Sequence, residues 1–214
     1  MTEELIARVL QVLSINVRWM TWNLFLAFIP LVLSVWLFRT RRRNSGIWWL
    51  GFLVFYAFLP NAPYLLTDVI HLIHDIRTIQ SVWLITLVLI PVYLIVIFAG
   101  FEAYVISLIN LGYYLHRIGK SQWILAVELI THALNAIGIY WGRFLRFNSW
   151  DFITQPDEVL TRGVEELLGK QPLIIITVSF VILLVLYLIM KRVSLGFITQ
   201  RNNHINMKSE HTEY

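Results

Sequence analysis

The chain has no cysteine and little charge. Without cysteine there is no disulfide framework, no thiol nucleophile and no thiolate metal site. Asp, Glu, Lys and Arg make up only 14% of it, against about a quarter in an ordinary soluble protein. Nucleotide and hydrolase signatures are missing as well. The sequence contains no P-loop, no dinucleotide-binding glycine fingerprint, no HExxH and no GxSxG. ATP-driven, zincin and ordinary serine-hydrolase chemistry are therefore disfavoured. No internal repeat is visible, so the inverted-repeat argument for a transporter finds no support. A cleavable leader is not expected either. The first apolar run starts near Trp19, is about a bilayer long, and has no small-x-small site after it.

What the chain has instead is hydrocarbon. Apolar residues are 58% of its 214. A soluble domain of this size has too little polar surface to cover that much apolar material. The fold class is therefore an all-α membrane protein, a bundle of about five spanning helices with amphipathic interfacial helices. A span needs about 20 mostly apolar residues. The runs at about 19–38, 47–66, 78–101, 123–142 and 171–190 qualify. Residues 1–18 read as an amphipathic surface helix with Leu5, Val9, Val12 and Leu13 at helical spacing. Residues 19–192 form the membrane domain and 193–214 a cytoplasmic polar tail, with disorder expected over Gln200–Tyr214. Pro91 predicts a kink in the third span. Residues 82–115 as one helix would extend about 50 Å, more than the roughly 30 Å hydrocarbon core. The third span is therefore expected to end near Glu102, with a break at Gly100 and an interfacial piece after it.

Lys and Arg outnumber Asp and Glu by 17 to 13. They cluster between apolar runs, which sets membrane orientation rather than nucleic-acid binding. Arg39, Arg41, Arg42, Arg43, Arg117, Lys120, Lys191, Arg192, Arg201 and Lys208 fall on one side of a five-span chain, against Arg8, Arg18, Arg77, Arg143, Arg146, Arg162 and Lys170 on the other, and the Arg39–Arg43 cluster decides the bias. That side is expected to be cytoplasmic, with the N-terminus outside and the C-terminus inside.

On that topology two polar, aromatic-rich segments share the outer face: 60–75 and 138–151. Asp68, His71 and Asp75 fall on one helix face, with His74 beside them and Val69, Ile73 and Ile76 opposite. Pro60 and Pro63 free backbone groups that Asn61 and Tyr64 are placed to satisfy. Asp and His can bind a divalent metal or share a proton. Arg143 and Arg146 can hold an anionic group such as a phosphate, with Asn148, Ser149 and Asp151 completing a polar pocket. The alternative is a juxtamembrane helix whose arginines meet lipid phosphates or pair with Asp68 and Asp151. A DxxHxxHD spacing is weak evidence for a metal, so no metal site or cofactor is assigned.

A second group lies at membrane depth. Glu128, His132 and Asn135 form one stripe of the fourth span, and Glu102 sits near the inner end of the third. Such groups normally face the bundle interior. They mark either a proton or ion path or interhelical hydrogen bonding. Residues 155–169 read as an amphipathic helix with Pro156 in its first turn. It lies flat on the outer surface or covers the polar site.

Three stretches carry a resemblance to a known family. They are Trp22–Ala27 with Pro30, Pro60–Tyr64 followed by Thr67, Asp68, His71 and Leu72, and Gly138–Tyr140 followed by Gly142–Phe144, Arg146 and Asn148–Asp151. Over about residues 19–190 the chain resembles the bacterial membrane family catalogued as domain of unknown function 1361. The resemblance implies a multi-span protein of a bacterial cell membrane and no particular activity. His74, Asp75, Glu128 and His132 lie outside its pattern. The leading expectation is a non-enzymatic bundle that binds lipid, assists transport or forms complexes, with an anionic lipid or phosphate-bearing ligand at the outer face. The alternatives are a membrane-embedded enzyme acting on an anionic lipid or lipid-linked substrate, and a proton-coupled carrier using Glu102, Glu128 and His132.

Overall fold

The computed structural model describes residues 2–40, 46–79, 81–167 and 169–210. Arg41, Arg42 and Arg43, which weigh most in the orientation argument, lie outside the described residues. So do the side chains of residues 2–15, and with them the apolar stripe expected there.

Helices fill the described chain, and no strand is present among the described residues. With no water in hydrocarbon, each segment must satisfy its own backbone, and an α-helix does so. Helix α1 (Thr2–Ser34) absorbs the expected surface helix and the first span into one rod. α2 (Gly46–Phe58) ends at the Leu59–Pro60 turn, and α3 (Asn61–Tyr64) follows at once. Residues Leu65–Asp68 wind as a tighter 3-10 turn before α4 (Val69–Thr78). A short α5 (Val82–Leu84) leads into α6 (Ile90–Arg117), and α7 spans Ile124–Tyr140. α8 (Asp151–Thr154) and α9 (Pro156–Leu167) precede α10 (Lys170–Glu210). Among the described residues, five stretches are long and apolar enough to cross a membrane: Asn16–Thr40, Gly46–Thr78, Val82–Arg117, Ser121–Leu145 and Lys170–Phe197.

The third stretch departs from expectation. It does not end at Glu102 and does not break at Gly100; helix runs from Val82 to Arg117 over 36 residues, roughly 54 Å. Pro91 does perturb it. The turns at Ile85–Leu89, just before the proline, are π-helical. A wider turn accommodates the missing N–H and the ring. The helix stops at Gly119, whose φ of +74° supplies the left-handed closing residue. The tail expected to be unstructured also continues as helix, to Glu210. Residues 211–214 lie outside the described part.

Two glycines bring the 59–65 turn into the bundle. A Cβ on Gly100 would stand 2.0 Å from the Leu65 side chain and 3.3 Å from the Ala62 carbonyl. A Cβ on Gly138 would stand 2.7 Å from the Pro60 ring. Leu59, Ala62 and Leu65 are consequently fully buried between α6 and α7. They join a core that includes Phe38, Phe55, Tyr104, Leu108 and Tyr187. A proline ring cannot swing aside, so Gly138→Val is expected to cost about 1–3 kcal/mol by overpacking. Thermal unfolding in detergent measures this, and an unchanged melting temperature would mean the approach is slack.

Candidate functional site

Contacts bring the two polar segments together at one end of the bundle. The helix widens again at Trp141–Leu145, where the turns are π-helical, a feature common at functional sites. This widening carries Arg143. Its Nη1 donates to the Tyr64 hydroxyl at 3.3 Å and lies 3.2 Å from His71 Nε2. Its Nη2 donates to the Thr67 carbonyl at 3.3 Å. Bonding to His71 requires Nε2 to accept, which places the ring proton on Nδ1. Of the five guanidinium N–H groups, Nε–H and one on Nη2 meet no partner among the described residues. Arg146 ends the π-helical turns in a left-handed conformation, φ 61°. Its side chain is exposed and makes no hydrogen bond or ion pair among the described residues. Asn61 Nδ2 crosses to Ser149 Oγ at 2.7 Å and also donates to the Phe58 carbonyl.

Asp68 and Asp151 do not join this group as expected. Asp151 Oδ2 accepts from the Asn148 backbone N–H at 2.6 Å and from its side chain at 3.2 Å, closing a local turn. Asp68 points inward and is 1% exposed. Neither of its oxygens has a hydrogen-bond partner among the described residues. Asn23 lies beside it, short of hydrogen-bond geometry, and Arg143 acts on it through its charge. Asp75 turns a third way and accepts from Asn16 Nδ2 and the Tyr93 hydroxyl, both at 2.8 Å. Asp68, His71 and Asp75 thus diverge. Among the described residues no three His, Asp or Glu side chains gather as metal ligands would.

A partly open cavity of about 1140 Å³ lies against this polar end. That is somewhat above the usual upper size for small-molecule pockets, about 1,000 Å³. Its mouth is polar: Asn61, Tyr64, His71, Arg143, Arg146, Asn148 and Ser149. Its walls are apolar and come from α1, α2 and α7, with Leu26, Leu53, Val54, Leu134 and Ile137 among them. Val164 and Leu167 of α9 close one side. α9 is held there by Trp141, whose indole N–H donates to the Gly163 carbonyl at 3.3 Å. The cavity reaches down to Tyr56 and Asn135. Asn135 therefore belongs to its lining as well as to the stripe of α7. Trp22, Asn23 and Tyr56 are cavity residues that the polarity of the sequence did not mark. Trp22 and Asn23 do fall in the stretches that carried the family resemblance.

Below the cavity the α7 stripe is bonded across the bundle. Glu128 Oε1 accepts from the Tyr187 hydroxyl at 2.6 Å and from Lys191 Nζ at 2.5 Å. His132 Nδ1 meets the Tyr104 hydroxyl at 2.6 Å. Thr131 Oγ1 lies 3.1 Å from the Tyr56 hydroxyl. Glu102 accepts from the Ser194 hydroxyl. His132 Nε2, Asn135 Oδ1 and Glu102 Oε2 are buried without partners among the described residues. Tyr104, Tyr187, Lys191 and Ser194 were not foreseen as partners. The spacing of Tyr187 and Lys191, four residues apart at the end of an apolar run, is the one hint of it in the sequence.

The fold and the site define a five-span helical membrane protein with a polar-mouthed, apolar-walled cavity. The chain matches the family model described as a protein of unknown function (DUF1361) over residues 22–185 and belongs to that family. No curated protein and no solved structure matches it.

Proposed function

We propose that this protein binds, without chemical conversion, an amphiphile bearing an anionic, phosphate-containing head. The chain of the ligand would lie between α1, α2 and α7, and the head between Arg143 and Arg146. One observation carries the reading: apolar walls lead to a mouth where two arginines keep unused N–H donors. Guanidinium groups suit phosphate oxygens because two parallel N–H bonds match their geometry. A catalytic reading is less well supported. Asp68 is not among the cavity-lining residues, and His71 Nε2 is already engaged by Arg143.

Native mass spectrometry of protein extracted with phosphatidylglycerol in mild detergent tests the proposal. The wild type should retain lipid. Arg146→Gly keeps a backbone glycine favours and removes the charge, so it should retain several-fold less. Val54→Trp fills the apolar wall and should also lose lipid. A wild type that retains none, or variants that retain as much, would overturn the reading.

The arginine-bearing mouth is proposed to face outward from a bacterial cell membrane, with the Arg39 and Lys191 end in the cytoplasm. The native chain has no cysteine, so single cysteines report orientation cleanly. A cysteine at Thr154 is expected to react with an impermeant maleimide on intact cells, and one at Ser121 to be protected. The reverse pattern would invert the assignment.

A further inference from the structure

Asp68 is the most anomalous side chain at this end of the protein. A carboxylate only 1% exposed, with neither oxygen hydrogen-bonded among the described residues, is costly to keep in a fold. Fully buried polar groups in native proteins nearly always have partners, and an exception calls for a reason. Its surroundings can be named element by element. α1 presents Asn23, which also lines the cavity. α6 presents Tyr93, whose hydroxyl is committed to Asp75. The segment after α7 presents Arg143, the cation acting on it. His71, one turn along, is bonded through its Nε2 to Arg143 Nη1. Arg143 therefore answers to two charges: it acts on Asp68, and it lines the cavity where an anionic head would sit.

Resting on the binding reading above, we infer that Asp68 is a built-in counter-anion that competes with the ligand's head for Arg143. It acts as a positioning residue and does not touch the ligand. With the cavity empty, the carboxylate offsets the charge of Arg143. The three bonds to Tyr64, His71 and Thr67 fix the guanidinium on the segment that carries Asp68. When a phosphate group arrives, it must share a cation that is already partly neutralised. The consequence is weakened, reversible capture. Selectivity for singly charged heads also follows, because a second negative charge would be left unmatched in a site that holds Asp68.

The test is affinity for two lipids of matched chains, phosphatidylglycerol and neutral diacylglycerol, measured in detergent for wild type, Asp68→Asn and Asp68→Ser. Both variants remove the charge, and the second covers the case in which the amide fails to pack. Each is used only if it melts cooperatively. The inference expects phosphatidylglycerol to bind roughly tenfold more tightly to the variants, as removal of a nearby like charge allows. Diacylglycerol should be unaffected, which a merely structural role for Asp68 would not produce. Unchanged or weaker phosphatidylglycerol binding in the variants would overturn the inference and leave the binding reading intact. Failure of the wild type to bind phosphatidylglycerol at all would overturn both.

Discussion

Lys191→Met is expected to lower the stability of the bundle by about 3 kcal/mol, because it strands Glu128 in the interior. The Glu128 side chain is 9% exposed and that of Lys191 25%. Among the described residues Glu128 keeps only the Tyr187 hydroxyl once the ammonium is gone, and a buried carboxylate cannot move out to water. The converse change should be milder. In Glu128→Gln the amide still accepts from Tyr187, and Lys191 can extend its stem toward the helix end to rehydrate. Replacing both, as Glu128→Leu with Lys191→Met, should recover most of the loss, since buried pairs break roughly even against well-packed apolar groups. Thermal unfolding of the wild type, Lys191→Met, Glu128→Leu and the double variant in one detergent gives the coupling directly. If Lys191→Met melts like the wild type, the pair contributes nothing to the fold, and the stripe on α7 needs another explanation. If the double variant fails to recover, the carboxylate is needed for more than charge matching.

The number of crossings was readable in the sequence because hydropathy reports the one constraint a bilayer imposes on every segment. The ends of the helices were not. α6 and α10 run on past the apolar stretch, and nothing in hydropathy separates a helix that stops from one that projects. Gly100 reads as a break because glycine is a poor helix former. Here it is a contact point for Leu65, a relation set by a residue 35 positions away. The placing of Asp68 failed for a local reason. Counting about 100° per residue puts it beside His71. The tighter 3-10 winding at Leu65–Asp68 rotates it into the bundle. Lys191 reads as a flanking charge, yet its stem folds back along α10 to Glu128. Arg143 and Arg146 were placed at the mouth by topology alone. What the sequence lacked was the depth of the cavity behind them, which depends on how α1, α2 and α7 splay.

Arg143→Met is the second replacement expected to have a large effect, and it separates architecture from binding. It removes three hydrogen bonds joining the end of α7 to the 64–71 segment. It also removes the cation whose charge acts on the buried Asp68. Breaking a direct buried ion pair from one side costs about 3–5 kcal/mol; Arg143 makes no hydrogen bond to Asp68 and His71 is exposed, so a loss of about 2–3 kcal/mol is expected. Loss of lipid retention in this variant alone would therefore say little, because the mouth would be distorted. Adding Asp68→Asn removes the stranded charge and should restore most of the stability. It should not restore retention of phosphatidylglycerol, since the donor fork is gone. A stable double variant that still holds the lipid would assign capture to the apolar walls and Arg146 alone. Full stability of the single Arg143→Met variant would show that Asp68 is compensated by something other than Arg143. In that case the competition between carboxylate and ligand would have no physical basis.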